Sequence, residues 1–202
     1  MTIRLAIFDL DGTIVENSYD WAAIRKELGL ESGSILAYLE SLPEPQRSEK
    51  YAQLEKHEEI QTEKAVLKEG IKEFLEWLSA TGIKKALVTN NNQKNARLLL
   101  DKFNLNFDLV LTRESGLHKP SGAPFQKVMK FFKVAPEETV VIGDTQYDIL
   151  AAKNAALSQI YILESQMTPE NLKGAVVVAS YEEIKARIKK LISKDKDKDN
   201  LL

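Results

Sequence analysis

The chain has no cysteine. That excludes a disulfide framework, a thiol nucleophile and a thiolate metal site, and leaves oxygen and nitrogen as the available metal ligands. Long apolar runs are also missing, and none approaches the ~20 residues needed to span a bilayer. Neither sign of charge dominates. Twenty-eight Lys and Arg against 30 Asp and Glu leave a net charge of -2, so there is no basic field for nucleic acid or an anionic membrane. The first residues run directly into an apolar strand, without the charged and apolar regions of a signal peptide. These absences together set the expectation of a cytoplasmic protein that binds neither nucleic acid nor membrane.

What is present is ordinary in bulk: 202 residues, 44% hydrophobic and 29% charged, enough for one sizeable core with a modest insertion. Residues 3–8 form an almost unbroken apolar run, which suits a parallel strand buried on both faces. From Asn17 to Lys68 the pattern is helical. Trp21, Ile24 and Leu28 recur at helical spacing up to a stop at Gly29. Ile35, Leu36, Leu39 and Leu42 predict a second short helix, closed by Pro43 and Pro45. Gln46 to Leu67 contains no Gly or Pro and predicts one or two helices, with Tyr51, Leu54, Ile60 and Leu67 turned inward.

After Gly70 strands and helices alternate. Helices are predicted over 71–79, 93–103, 123–132, 148–155 and 181–192, and strands over 85–89, 109–112, 139–142, 159–163 and 175–178. Such alternation predicts an α/β fold, a Rossmann-like three-layer parallel sheet with right-handed crossovers. The expected domains are a catalytic core over 1–15 and 70–193, a small α-helical cap over 16–69, and an unstructured tail over 194–202, where Lys and Asp alternate with nothing to bury.

Ligands of open parallel sheets bind beyond the carboxyl ends of the strands. There this sequence places Asp9 and Asp11, then Thr89-Asn90-Asn91-Asn92, then His118-Lys119-Pro120, then Gly143-Asp144 through Asp148. Two acids at i and i+2 of an extended chain share a side and repel unless a cation or proton lies between them. Oxygen ligands with a lysine and a hydroxyl suit phosphoryl transfer at Mg²⁺. Asp9 and Asp144 are the natural metal pair, with the Asp11 backbone carbonyl available. Lys119, the Thr89 hydroxyl and backbone N–H groups suit phosphoryl oxygens, and Asn90 could join them. His57 and His118 are surface or packing residues. Trp77 falls on an apolar helix face and is expected in the core. Tyr19 and Trp21 have two readings, core packing or substrate contact.

In order and spacing these segments resemble the signatures of the haloacid dehalogenase superfamily of phosphatases. Phe8-Asp9-Leu10-Asp11-Gly12-Thr13 resembles the first, Val88-Thr89-Asn90 the second, Lys119-Pro120 the third and Gly143-Asp144 through Asp148 the fourth. The resemblance implies Asp9 as nucleophile, Asp11 as general acid and base, and Thr89 and Lys119 on phosphate. It also implies Asp144 and Asp148 at Mg²⁺, the latter directly, through water or through Lys119. The implied activity is Mg²⁺-dependent hydrolysis of a small phosphorylated metabolite through an aspartyl-phosphate, by a monomer or dimer whose insertion is a small helical cap. The alternatives are a sugar-phosphate mutase of the same superfamily or a receiver-like phospho-acceptor or binding module. Haloacid dehalogenation is disfavoured, because halide departure has no use for Asp11. Two features depart from the pattern: Ala156 stands where many relatives have Gly, and the extra amides of Asn91 and Asn92 have no assigned role.

Overall fold

Four residues of unbroken apolar side chain, Leu5–Phe8, form β1 at the centre of the sheet, and every one of them is buried. The computed structural model describes residues 2–16, 19–163 and 167–199. β2 (Lys84–Val88) and β4 (Thr139–Gly143) flank β1 in parallel. β3 (Leu109–Leu111) extends one side, and β5 (Gln159–Leu163) and β6 (Val176–Val178) the other, giving the order β3-β2-β1-β4-β5-β6. The six strands are all parallel, as the alternating pattern predicts.

The pleat divides the side chains of β1 between two cores. Ala6 and Phe8 pack with α4 (Ile71–Ala80), α5 (Gln93–Phe103) and α8 (Tyr181–Asp199). Leu5 and Ile7 pack with α6 (Ala123–Phe132) and α7 (Gln146–Asn154). This is the three-layer α/β architecture. Trp77 lies half-buried at the edge of the first core, its ring stacked on Phe74 at 5.7 Å.

The segment between β1 and α4 is helical: α1 (Trp21–Leu28), α2 (Ile35–Ser41) and α3 (Gln46–Lys64). Its apolar centre is separate from the two sheet cores and consists of Ile24, Leu28, Ile35, Leu36, Leu39 and Leu54. The chain leaves and re-enters the sheet domain side by side. Val15 forms an antiparallel bridge with Leu67, while Glu16 N–H donates to the Val66 carbonyl at 2.8 Å and Lys68 N–H to the Ile14 carbonyl at 2.9 Å. Asn17 and Ser18, the first residues of the helical block, lie outside the described residues.

Several sequence expectations shift. α3 is one helix ending at Lys64, so Leu67 belongs to the neck rather than to a helix face. Ile60 points outward at 51% exposure, and the inward residues of α3 are Leu54, Glu58, Gln61 and Thr62. Apolar periodicity misplaces that face because the helix turns polar groups toward the sheet domain. α8 continues to Asp199 where a tail from Lys194 is expected, and residues 200–202 lie outside the described residues. Among the described residues no helix is long and apolar enough to cross a membrane.

Ala156 follows α7 with a φ of 61°, in the left-handed region. That conformation costs an L-residue roughly 1–2 kcal/mol. Glycine escapes the cost and gives back about 0.4–1 kcal/mol through a freer unfolded chain. Ala156→Gly is therefore expected to stabilise the protein by about 1 kcal/mol, read as a higher denaturant midpoint at unchanged slope.

Candidate active site

Parallel strands in register end together, so the residues after β1, β2 and β4 converge on one edge. There a cavity of about 360 Å³ opens between the sheet and the helical block. Asp9, Asp11, Thr89, Asn90, Lys119 and Asp144 line its sheet side, and Tyr19, Trp21, Arg25, Ile35, Leu36, Leu54 and Glu58 its helical side. Asp148 is the one sequence-selected residue absent from the wall. It lies just beneath, 1% exposed.

Lys119 is the electrostatic centre. Its Nζ lies 2.7 Å from Asp9 Oδ1 and 2.6 Å from Asp148 Oδ1, and the side chain is buried. Burial alone would lower the ammonium, but Asp148 and Asp9 outweigh it and hold Lys119 above its ordinary range. The Lys119 backbone is fixed by Asn90, whose Nδ2 donates to the Lys119 carbonyl and whose Oδ1 accepts from Lys119 N–H, both at 2.9 Å. The Asn90 oxygen and one of its two amide N–H donors are thus committed to the lysine loop.

Asp148 is held at both oxygens. Oδ1 takes Lys119, while Oδ2 accepts from Thr145 N–H at 3.1 Å and Thr145 Oγ1 at 2.8 Å, capping α7. Gly143 makes room for it, since a Cβ there would lie 2.4 Å from Asp148 Cγ. Gly12 does the same for Asp144. It takes a φ of 80°, and a Cβ would fall 1.9 Å from Asp144 Oδ2. A side chain at either glycine would push a carboxylate out of the cluster.

Asp9, Asp144 and Asp148 each bring a carboxylate oxygen within 4.8 Å of the others. Burial raises Asp9 and Asp144 above the ordinary carboxylate range; Asp148 and Asp11 add repulsion at Asp9, and Asp9, Asp148 and Asp11 add it at Asp144, while Lys119 opposes both. This buried excess of hard oxygen donors fits a divalent cation such as Mg²⁺. Asp11 differs from its neighbours. Oδ2 accepts from Asn91 Nδ2 at 2.9 Å, and Oδ1 is buried with no hydrogen-bond partner. Burial pushes Asp11 up to about 6, against the Asn91 bond. The Thr89 hydroxyl accepts from Asn91 N–H at 3.0 Å, leaving its own proton to donate.

Sequence reading missed Glu58, Arg113 and the work of Asn91 and Asn92. Glu58 reaches from α3 to accept from Asn92 Nδ2 at 2.9 Å and from Arg113 Nη2. Arg113 stands just past β3, in the row of strand ends that should have drawn notice. Glu58 carries no such signal, because it sits in a helix rich in charge. Tyr19 and Trp21 stack at 4.3 Å and pack on the apolar centre of the helical block, as one of their two readings expects, and they also line the cavity. His118 Nε2 meets Glu40 of α2 at 3.0 Å, a second link between helices and sheet domain.

Comparison with known proteins agrees with this arrangement. Residues 17–162 match the family model described as haloacid dehalogenase-like hydrolase. The phosphoglycolate phosphatase of Aquifex aeolicus is 31% identical, over 76% of this chain and 81% of that protein. The pyrophosphatase PpaX of Halalkalibacterium halodurans is 30% identical, over 78% of this chain and 82% of its own length. Among solved structures, a hydrolase from Pseudomonas syringae has a TM-score of 0.70 at 23% identity, covering 87% of this chain and 92% of that one. A Thermotoga maritima structure named for beta-phosphoglucomutase has a TM-score of 0.67 at 23% identity, covering 93% and 99%. At such identity these two likenesses show the fold.

The buried ion pair between helices and sheet gives a pH signature. Burial pushes Glu58 up to about 7 from 4.5, against the pull of Arg113 and Asn92 and with a push from Glu55; Asp11, Tyr19 and Tyr51 also feel its charge. The folded state therefore holds this proton more tightly than the unfolded chain. Its contribution is full below the ordinary carboxylate range and is lost as pH rises toward 7. Wild type should lose stability relative to Glu58→Gln across pH 5 to 7, at up to about 1.4 kcal/mol per pH unit. Parallel denaturant titrations of the two proteins check it, and a pH-independent difference would contradict it.

Proposed function

The chain belongs to the haloacid dehalogenase-like hydrolase family, and on that premise we propose that it hydrolyses a small phosphorylated metabolite through an aspartyl-phosphate on Asp9, with Mg²⁺ as cofactor. The observation that carries the reading is the placing of two acids with different surroundings at one strand end. Asp9 is bound to Lys119, and Asp11 has one oxygen held and the other bare.

In the first step an Asp9 carboxylate oxygen attacks phosphorus and the bond to the leaving oxygen breaks. Protonated Asp11 gives its proton to that oxygen, so an alcohol departs. In the second step Asp11, now a carboxylate, takes a proton from water, and the hydroxide attacks the same phosphorus. Phosphate leaves and both acids return to their starting states. Lys119 faces the non-bridging oxygens and offsets the charge of Asp9 before attack. The Thr89 hydroxyl and the Asn90 N–H hold the remaining oxygens. Asp9, Asp144 and the Asp11 carbonyl would hold Mg²⁺, with Asp148 supporting through Lys119. A bound Mg²⁺ neutralises phosphoryl charge. The helical block roofs the cavity, whose size falls within the ~300–1,000 Å³ usual for small-molecule sites, so it favours a metabolite over a protein substrate. Closure of such a roof excludes competing water.

Phosphate release from a panel of phosphorylated metabolites, with phosphoglycolate, pyrophosphate and sugar phosphates included, tests the proposal. Release is expected with Mg²⁺, lost on chelation and restored by adding the ion back. Asp9→Asn should reduce turnover to background. Asp11→Asn should slow alkyl-phosphate hydrolysis by roughly 10²–10⁴-fold. Wild-type rates in Asp9→Asn or in metal-free buffer would refute it, and transfer of phosphate to a second sugar hydroxyl instead of water would make the protein a mutase.

A further inference from the structure

Asn90, Asn91 and Asn92 follow one another at the end of β2, and each amide has a different task. Asn90 holds the Lys119 loop. Asn91 is 4% exposed and is held at both ends of its amide: Nδ2 donates to Asp11 Oδ2 at 2.9 Å, and Oδ1 accepts from Asn92 N–H at 2.8 Å. Asn92 also uses both ends. Its Oδ1 accepts from Asn95 N–H at 2.8 Å to cap α5, and its Nδ2 donates to Glu58 Oε2 at 2.9 Å. Glu58 belongs to the helical block, and the same Oε2 also accepts from Arg113 Nη2. An unbroken line of hydrogen bonds therefore runs from Asp11 through Asn91 and Asn92 to α3.

We propose that Asn91 is a positioning residue for Asp11, and that Asn92 and Glu58 tie its setting to the seated position of the helical block. The inference rests on the acid and base role of Asp11 given above. The geometry explains how that role would be aimed. A carboxylate on a two-bond stem rotates freely unless one oxygen is held. Asn91 holds Oδ2, which fixes the rotation of the carboxyl group and so the direction in which its buried, unpartnered Oδ1 points. Asn91 cannot swing away, because the Asn92 N–H pins its Oδ1 and its own N–H is bound to Thr89 Oγ1. Asn92 in turn is fixed by a helix on one side and by Glu58 on the other. When α3 is seated, every member of the line has its partner. When α3 lifts, Asn92 Nδ2 and Arg113 both lose Glu58, and the support behind Asn91 loosens. Proton transfer is thereby favoured only under a closed roof, where bulk water does not compete.

Leaving-group dependence separates this role from a merely structural one. p-Nitrophenolate leaves without a proton, whereas an alkoxide needs one. Asn91→Leu keeps the size and removes the donor, and Asn91→Asp keeps the shape if the leucine variant does not fold. Either variant is expected to lower kcat for the best alkyl phosphate by ~10–100-fold with KM nearly unchanged, the order seen when a reacting group is misplaced by about 1 Å. The pre-steady-state burst of p-nitrophenol should stay within about threefold of wild type, since departure of that group needs no acid. A cycle of Asn91→Leu, Glu58→Ala and the double variant should be non-additive in kcat by threefold or more. Equal losses on both substrates, an unchanged kcat in folded variants, or strict additivity would overturn the proposal. Asp11→Asn is the control: if it too leaves alkyl-phosphate turnover unchanged, the acid and base reading itself has failed. If it collapses turnover while the Asn91 variants do not, only this inference has failed.

Discussion

A single buried ammonium holds the site together. Four carboxylates, from Asp9, Asp11, Asp144 and Asp148, crowd the ends of two adjacent strands, and Lys119 is the cation that pairs with two of them, Asp9 and Asp148. Removing one partner from such a cluster leaves uncompensated buried charge, which is far costlier than losing a surface pair. Much of the neighbouring structure serves this contact. Asn90 fixes the lysine backbone from β2, Thr145 saturates the far oxygen of Asp148, and Gly143 and Gly12 leave the space the acids occupy. The fold contributes by ending β1 and β4 in register, so that groups 135 residues apart in sequence meet.

Most of that framework was legible in the sequence, because its causes are local. Apolar runs of strand length separated by amphipathic helices imply a parallel sheet, and a parallel sheet implies an edge where strand ends gather. Asp9, Asp11, Thr89, Lys119 and Asp144 could be selected on that ground alone. Legibility failed where a residue's role depends on a partner far away in sequence. Glu58 lies in a helix rich in charge, and its partners Asn92 and Arg113 stand 34 and 55 positions later. Ile60 was mistaken for an inward residue because periodicity assumes that what is buried is apolar. The same assumption left Asn91 and Asn92 without a role, since their work is to satisfy each other and the acids on either side.

The helical block keeps its own small apolar centre and meets the sheet domain through polar groups: Glu58 with Arg113 and Asn92, Glu59 with Lys94 at 2.7 Å, Glu40 with His118, and the Lys102 ammonium on the Glu63 and Ala65 carbonyls. Polar contacts of this kind are directional and exchange readily with water. They fix one docked geometry without the broad apolar burial that would make the two parts inseparable. That is the balance required of a roof that must admit a substrate and then exclude solvent.

The neck at Val15 and Leu67 carries one more implication. Departing and returning strands are hydrogen-bonded to each other before the insertion begins, so the sheet domain sees two fixed ends a strand's width apart whatever lies beyond them. Closing a longer or shorter excursion between such ends changes chain entropy only slowly, by about 0.6 kcal/mol for each doubling of length. The junction therefore works as a socket. The acids and the lysine sit on the sheet side of it, and the fitting above can be exchanged at little thermodynamic expense.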